Sequence, residues 1–276
     1  MTIELPIYQV DAFSSGPFTG NPAAVVPLQK WLDDATMQQI AMENNLSETA
    51  FYTLQSAEQK KKTLADFFIR WFTPKTEIDL CGHATLATAY VCLLRGEWPE
   101  NSNSISFITE KAGLLTVTRQ GDLLLLDLPA RIPEPCAEPE GLLDALGIDY
   151  PVRILKSRDY FLVLPHQQAV LDLKPDFTAL QKVEALGVIV SAKGDEEADA
   201  VSRCFYPRAG VNEDPVTGSA HCNIIPYWSE HLGRPNLMCK QLSERGGVLQ
   251  CEYKGDRVVM GGKCYLFMEG KLLIPG

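Results

Sequence analysis

The sequence has no hydrophobic segment of membrane-spanning length and comparatively little positive charge. Its longest leucine run, Leu123 to Leu126, is far shorter than the roughly 20 apolar residues that a membrane-spanning helix needs. The first ten residues include Glu4 and no basic group, unlike a signal peptide. The 276 residues contain 25 Lys and Arg against 35 Asp and Glu, a formal charge of −10, which disfavours binding to nucleic acid or to an anionic membrane. We therefore expect a cytoplasmic protein that binds neither nucleic acid nor membrane.

Paired cysteines and histidines are also scarce. The chain has 4 histidines and 8 cysteines, and no two cysteines have the CxxC spacing that is typical of structural zinc sites. Without an export signal, a disulfide framework is not expected either. Most of the cysteines are expected to be small buried residues. The sequence thus predicts no metal site and no nucleotide or flavin cofactor.

An internal repeat spans about half of the chain. Residues 109–115 (TEKAGLL) resemble residues 243–249 (SERGGVL), and the sequence Gly-Asp follows each at the same offset, 243 − 109 = 134. Residues 70–74 resemble residues 203–207, again in the same order. Such a long period indicates two similar domains rather than a solenoid. We predict domains at residues 1–128 and 129–276, joined by a proline-rich stretch, with a last strand that can return to the first domain.

Each half contains one helix that is apolar nearly all round, at residues 84–94 and 220–232, among short alternating segments typical of strands. A further helix is predicted over residues 175–186. Because an apolar helix of this kind has to be covered on every side, the pattern predicts an α+β fold. It consists of two pseudo-symmetric domains, each with a curved, mostly antiparallel sheet or barrel around a central helix.

Glu48 is the first candidate for chemistry. It comes just after a predicted helix end at Asn44 and Asn45 and just before apolar Ala50 and Phe51. A carboxylate in a partly dry cleft has a raised pKa and can act as a general acid or base. The alternative is a solvated carboxylate on a strand.

The segment around Gly82 has the features of an anion site. An apolar helix that starts at Gly82 and His83 presents unpaired backbone N–H groups and the positive end of its dipole. We expect the dipole to favour neutral His83, which could relay a proton, although His83 could also simply cap the helix. Cys81 is either a nucleophile whose pKa the helix lowers or a small buried residue.

The second half repeats this arrangement at Gly218 and Ser219, preceded by Asp214 and Thr217. Capping is the alternative function for Asp214 and Ser219. Two homologous domains would bring both helix starts to one interdomain cleft, where they would bind a small carboxylate. The repeat aligns Thr217 with Cys81, so a racemase with one thiol on each face of its substrate is disfavoured. His221, one turn into the second helix, is expected to pack in the core.

Three ordered motifs, together with the segments around residues 10–13 and 18–22, carry a family resemblance. The motifs SETAF (47–51), CGHAT (81–85) and EDPVTGSA (213–220) resemble the signatures of the phenazine-biosynthesis PhzF-like proteins. The resemblance covers nearly the whole chain. It implies the diaminopimelate-epimerase-like fold, cofactor-free isomerase chemistry and a homodimer.

The resemblance also implies roles for particular residues. Glu48 corresponds to the family's catalytic carboxylate, and His83, Asp214 and Ser219 to its proton-handling or substrate-binding partners. Backbone anion contacts fall at Gly82 and Gly218, with Cys81 and Thr217 beside them at the helix starts.

We therefore predict an isomerase that moves a proton on a small anionic substrate. The alternatives are an amino-acid epimerase or racemase and a non-catalytic binding or interaction protein on the same scaffold. A cysteine hydrolase that uses Cys81 and His83 is disfavoured, because side chains so close together at a helix start seldom face each other.

Overall fold

The structure of the chain is a computed structural model that describes residues 2–275, and these divide into two compact units. The first unit comprises the described residues up to Asp127 together with those from Gly261 onward. The second unit comprises Leu128–Met260. The homology of the two units remains a prediction, and the order of the elements in each unit allows the two to be compared.

The first unit contains strands β1 to β7, most of β8 and three helices. Asp33 caps α1 by accepting a hydrogen bond from the Thr36 amide, and Asn45 ends that helix in the left-handed conformation. The elements are β1 (Thr2–Ser14), β2 (Asn21–Leu28), α1 (Asp34–Asn44), β3 (Glu48–Leu54), α2 (Ala57–Thr63), β4 (Phe67–Phe72), β5 (Glu77–Ile78), α3 (Gly82–Leu94), β6 (Ser104–Ile108), β7 (Leu114–Gln120) and β8 (Leu123–Pro129).

The second unit holds the remaining elements and a single-turn 3₁₀ helix at Pro207–Ala209. The last strand leaves this unit after Met260, and its later part pairs with β1 from Cys264↔Ala12 to Pro275↔Thr2. The elements are β9 (Glu134–Pro135), α4 (Leu142–Leu146), β10 (Arg153–Lys156), β11 (Tyr160–Val163), α5 (Gln167–Leu171), α6 (Phe177–Leu180), β12 (Val188–Lys193), β13 (Ala200–Tyr206), β14 (Val211–Asp214), α7 (Gly218–Leu232), β15 (Asn236–Gln241), β16 (Gly247–Tyr253) and β17 (Arg257–Pro275).

The two units repeat one pattern of strand pairing. In the first, β2 and β3 are parallel, β3 and β4 antiparallel, β4 and β6 parallel, and β6 and β7 antiparallel. In the second, the same four relations join β11, β12, β13, β15 and β16 in that order. The central helix follows the third of these strands in each unit.

An arginine–glutamate pair also occurs in both units. Arg70 donates from Nε and Nη2 to the two carboxylate oxygens of Glu77, at 2.7 Å each. Arg203 does the same to Glu213, at 2.8 and 2.9 Å. Glu77 precedes Gly82 by five residues, as Glu213 precedes Gly218 (82 − 77 = 218 − 213 = 5). The pair therefore fixes, in each unit, the segment that leads to the central helix.

The central helices are buried because strands cover them on several sides. Helix α3 contacts β1, β2, β3 and β7, and α7 contacts β12, β13, β15 and β16. Ten of the 13 residues of α3 are buried. Covering so much of a helix removes apolar surface from water on every face, which stabilises both the helix and the sheet around it.

The predicted helix at residues 175–186 is wrong over most of its length. Asp176 caps a single turn, α6, and the chain then continues in turns such as that closed by the Val183 amide on the Leu180 carbonyl. Leu180 and Val183 are both buried in the core of this unit, so packing outweighs helix propensity here. None of the helices that the structure describes is both long enough and apolar enough to cross a membrane.

Candidate active site

Glu48 is the first residue of β3, and the end of α1 positions it. The chain reverses at Asn45, and the side-chain amide of Asn44 donates from Nδ2 to the Thr49 hydroxyl at 3.1 Å. Strand β3 lies between β2, where Ala23 pairs with Glu48, and β4. The backbone is thereby held on both sides, and the Glu48 side chain is 14% exposed. The backbone that carries the carboxylate is thus fixed, and the carboxylate is largely removed from water.

Helix α3 begins close to Glu48 with an open N-terminus. Cys81 is the N-cap residue in an extended conformation, and its side chain does not cap the helix. The amide and hydroxyl of Thr85 both donate to the Cys81 carbonyl, at 3.1 and 2.6 Å. The first turn contains no acidic residue, so its N–H groups and dipole favour an anion. A Cβ at Gly82 would lie 3.3 Å from the side chain of Leu126, so this approach favours glycine.

The Glu48, Cys81 and His83 side chains meet at this helix start. His83 Nε2 lies 3.1 Å from Glu48 Oε2, although the two groups are not aligned as a hydrogen bond. Cys81 Sγ lies 3.4 Å from His83 Nδ1 and 4.0 Å from its Nε2. The amide nitrogen of Asn21, the first residue of β2, lies 3.3 Å from Nδ1. A carboxylate, an imidazole and a thiol therefore share one nearly dry site.

The site shifts the pKa values of both His83 and Cys81. Burial disfavours the imidazolium, but negative charge at Cys81 and at Glu48 outweighs it, so the pKa of His83 is raised well above its usual value. Burial, with the Glu48 charge, raises the pKa of the Cys81 thiol to about 11. The raised pKa of Cys81 favours the neutral thiol, which leaves Glu48 as the neighbouring charge that favours the imidazolium.

Three expectations about this site need correction. The pKa of His83 moves in the opposite direction from that expected from the helix dipole, because Cys81 and Glu48 lie beside the imidazole. The sequence alone does not show that Glu48 is this close. The Cys81 pKa is raised rather than lowered, which disfavours a nucleophilic thiol. Cys81 and His83 do face each other, because the extended N-cap residue turns its side chain towards the imidazole.

The start of α7 holds Asp214 and Thr217 together. The Thr217 hydroxyl donates to Asp214 Oδ2 at 2.5 Å. Gln241, at the end of β15 and 1% exposed, accepts from the Thr217 amide at 2.8 Å and donates to the Asp214 carbonyl at 2.6 Å. Gly218 is buried at the first helical position. Gln241, which the sequence analysis missed, therefore fixes both ends of the segment.

Arg158 is a second residue that the sequence analysis missed. Its guanidinium donates to the carboxylate of Asp159, at 2.7 Å for Nη2, and the same Nη2 lies 3.4 Å from Ser219 Oγ. The Asp159 side chain is fully buried and that of Arg158 is 35% exposed. The buried carboxylate holds the cation beside the first turn of α7. The turn between β10 and β11 has no motif, so the sequence contains no signal for this contact.

His221 is fully buried one turn into α7. Its Nδ1 donates to the Thr217 carbonyl at 2.9 Å, and burial lowers its pKa to about 4. A neutral imidazole at this position supports the loop before α7 from within the core.

The structure thus brings the predicted site residues together in two groups. Glu48, Cys81, Gly82 and His83 gather in the first unit. Asp214, Thr217, Gly218 and Ser219 gather in the second.

Sequence comparison places the chain among known proteins. A family model described as phenazine biosynthesis-like protein matches residues 10–270. An uncharacterized isomerase of Pseudomonas aeruginosa is 49% identical over 270 residues, which cover 98% of this chain and 99% of that protein.

Structure comparison agrees with the sequence. The crystal structure of a PhzF-family phenazine biosynthesis protein from Enterococcus faecalis has a TM-score of 0.89 and 44% identity, covering 98% of this chain and 99% of that one. A protein described as a predicted epimerase from P. aeruginosa has a TM-score of 0.72 and 25% identity, with 98% and 100% covered. The α+β fold class predicted from the sequence is confirmed, and the relatives that match over the full length include proteins named isomerases. The chain belongs to the phenazine biosynthesis-like family, PhzC/PhzF.

Proposed function

We propose that the protein is a cofactor-independent isomerase that moves a proton within a small carboxylate-bearing substrate. The observation that carries the proposal is the Glu48–His83 pair, with 3.1 Å between Oε2 and Nε2 at a helix N-terminus. A carboxylate base and an imidazolium acid side by side can take and supply protons without a metal or cofactor.

The proposed step is a 1,3 proton shift. Glu48 removes a proton from one carbon, and the electrons of that C–H bond form a new double bond to the neighbouring carbon. The electrons of the original double bond take the proton from Glu48 at the third carbon, so no atom or charge is gained or lost. His83 remains beside Glu48 as a hydrogen-bond donor to negative charge that develops during the shift.

The residues at the start of α7 are assigned to the substrate carboxylate. Arg158 presents its guanidinium beside Ser219, although its Nε and Nη2 also donate to Asp159. The open helix N-terminus adds N–H donors. Asp214 is assigned to proton handling, as the family resemblance implies. We also propose that the starts of α3 and α7 bind the same substrate, which is a prediction from the sequence.

An epimerase is the second candidate, favoured by the similarity to the protein described as a predicted epimerase. Two-base epimerisation would need another base on the opposite face of the substrate. The raised pKa of Cys81 makes its thiol a poor base, so this candidate ranks below the isomerase.

Deuterium uptake from heavy water tests the proposal. The protein would be incubated with a panel of cyclic and amino carboxylates, and the products followed by NMR, mass spectrometry and chiral chromatography. We expect one compound to gain deuterium with relocation of a double bond. Deuterium gained with inversion at one stereocentre would instead establish the epimerase. Saturable binding with neither deuterium uptake nor relocation of a double bond would establish a binding protein.

A further inference from the structure

Glu48, Cys81 and His83 present three different metal-binding atoms to one another. A carboxylate oxygen, a thiol sulfur and an imidazole nitrogen from these residues all lie within 4.8 Å of each other. Glu48 comes from the start of β3, and the other two from the start of α3. The sequence separation of Glu48 and Cys81, 33 residues, matches no metal motif, which is why only the fold reveals the cluster.

Two of the three separations among these atoms are close to those of a tetrahedral zinc site. Bond lengths of about 2.0 to 2.3 Å place the sulfur and nitrogen ligands of zinc about 3.6 Å apart, and its nitrogen and oxygen ligands about 3.3 Å apart. Here, Cys81 Sγ and His83 Nε2 are 4.0 Å apart, and Nε2 and Glu48 Oε2 are 3.1 Å apart. These two separations differ from the ideal by less than about 0.5 Å, and the sulfur and the Glu48 oxygen lie within 4.8 Å of each other. Because the thiol lies nearer to Nδ1, at 3.4 Å, binding requires the imidazole to rotate until its Nε2 lone pair faces both other ligands.

The surroundings of His83 complete the arrangement. Metal-bound histidines usually hold their second ring nitrogen with a neighbouring polar group. The amide of Asn21, which is fully buried, lies 3.3 Å from His83 Nδ1. An amide can present either oxygen or nitrogen, so it can accept from a protonated Nδ1 while Nε2 faces Glu48.

We propose that Glu48, Cys81 and His83 bind one zinc ion, with a fourth coordination position left for solvent. The mixed sulfur, nitrogen and oxygen donors favour zinc over calcium or magnesium, which prefer oxygen ligands. Binding displaces the thiol proton and the imidazolium proton at His83 Nε2, so affinity rises with pH. Bound zinc would occupy the lone pair that Glu48 needs and replace the proton that His83 donates, so it inhibits the isomerase; this consequence, unlike the binding itself, rests on the proposed function.

Cobalt(II) and zinc titrations of the full chain, after treatment with a chelator, test the binding. We expect one equivalent of Co²⁺ to produce a thiolate-to-cobalt charge-transfer band and the intense visible bands of tetrahedral coordination. One equivalent of Zn²⁺ should then remove these bands. Cys81→Ala should abolish the charge-transfer band and weaken Zn²⁺ binding at least about tenfold, a loss of one ligand. Glu48→Gln should weaken binding but keep the band.

Cys92→Ala is the matched control, because Cys92 is fully buried on the same helix and far from the cluster in sequence. This variant should bind both metals like the wild type. Circular dichroism of every variant separates lost binding from lost folding. The proposal is overturned if the wild type gives no thiolate band, or if folded Cys81→Ala and Glu48→Gln both bind Zn²⁺ as tightly as the wild type does.

Discussion

The chemistry of the site depends on which side chains share a dry environment, and the sequence identifies those side chains only separately. Glu48 and His83 were both recognised as candidates, but their 3.1 Å contact joins two elements that are distant along the chain. A local analysis sees only the helix dipole at His83. The raised His83 pKa follows from negative charge at neighbouring Cys81 and at Glu48, which folding brings near it.

The protonation of His83 is the first prediction at this scale. Titration of the imidazole by NMR should give a pKa above the ordinary value of 6.5, and Glu48→Gln should lower it because a negative charge is removed. The Glu48–His83 pair therefore stabilises the fold fully below about pH 6.5, where unfolded histidine is also protonated. This contribution is lost as the pH rises through the folded pKa. An unchanged His83 titration in Glu48→Gln would contradict the electrostatic account.

His221 makes the opposite prediction. Its pKa falls from 6.5 to about 4 on folding, so between these values the unfolded chain binds more protons than the folded one. Stability should fall as the pH drops from 6.5 to 4, by about 3 kcal/mol from this group.

Urea unfolding at several pH values would measure the His221 effect, with His221→Gln as the comparison. Glutamine can keep a donor to the Thr217 carbonyl but does not titrate. The difference between wild type and His221→Gln should depend on pH only across this window. A pH-independent difference would show that His221 is not the source.

Arg158 provides a test of carboxylate recognition. Arg158→Lys keeps a positive charge beside buried Asp159 but loses the planar fork. For a carboxylate identified by deuterium uptake, KM should rise roughly tenfold while kcat changes little, a loss of uniform binding. Arg153→Lys, an exposed arginine of the same unit, is the control. Equal KM values for Arg158→Lys and wild type would remove Arg158 from the site.

At the scale of secondary-structure elements, the repeated arginine–glutamate pair explains how each unit places its central helix. Comparison of the two halves of the sequence detected the arginines, Arg70 and Arg203, but not the glutamates that they bind. The arginines are 203 − 70 = 133 residues apart, whereas Glu77 and Glu213 are 213 − 77 = 136 residues apart. The apolar helices were predictable because they are apolar on every face. Helix α6 was not, since burial of Leu180 and Val183 decides its length.

The Arg203–Glu213 pair should stabilise the segment before α7. Both side chains are largely buried, so Arg203→Met leaves the glutamate without its partner and should cost about 2 kcal/mol in unfolding free energy. Hydrogen exchange should accelerate across residues 211–220. The double variant Arg203→Met/Glu213→Leu should recover part of the stability, because no unpaired charge remains. Unchanged exchange in these residues would refute the anchoring role.

At the scale of the whole molecule, the internal repeat and three motifs were sufficient to predict the fold class and the family. The matched strand pairings of the two units agree with the repeat. Motifs identify positions that a family shares, whereas Arg158 and Gln241 contribute through contacts that depend on the folded chain. The predicted homodimer can be checked by sedimentation velocity, where a dimer has twice the 30.6 kDa mass of the chain.

The central claim is that Glu48 moves the proton, and the most direct measurement is the rate of carbon-bound deuterium uptake by Glu48→Gln. Glu58→Gln, which neutralises an exposed carboxylate on α2, is the control. We predict that Glu48→Gln remains folded and binds the substrate but exchanges at least about a thousandfold more slowly, while Glu58→Gln exchanges like the wild type. Exchange by folded Glu48→Gln at a rate near that of the wild type would contradict the account.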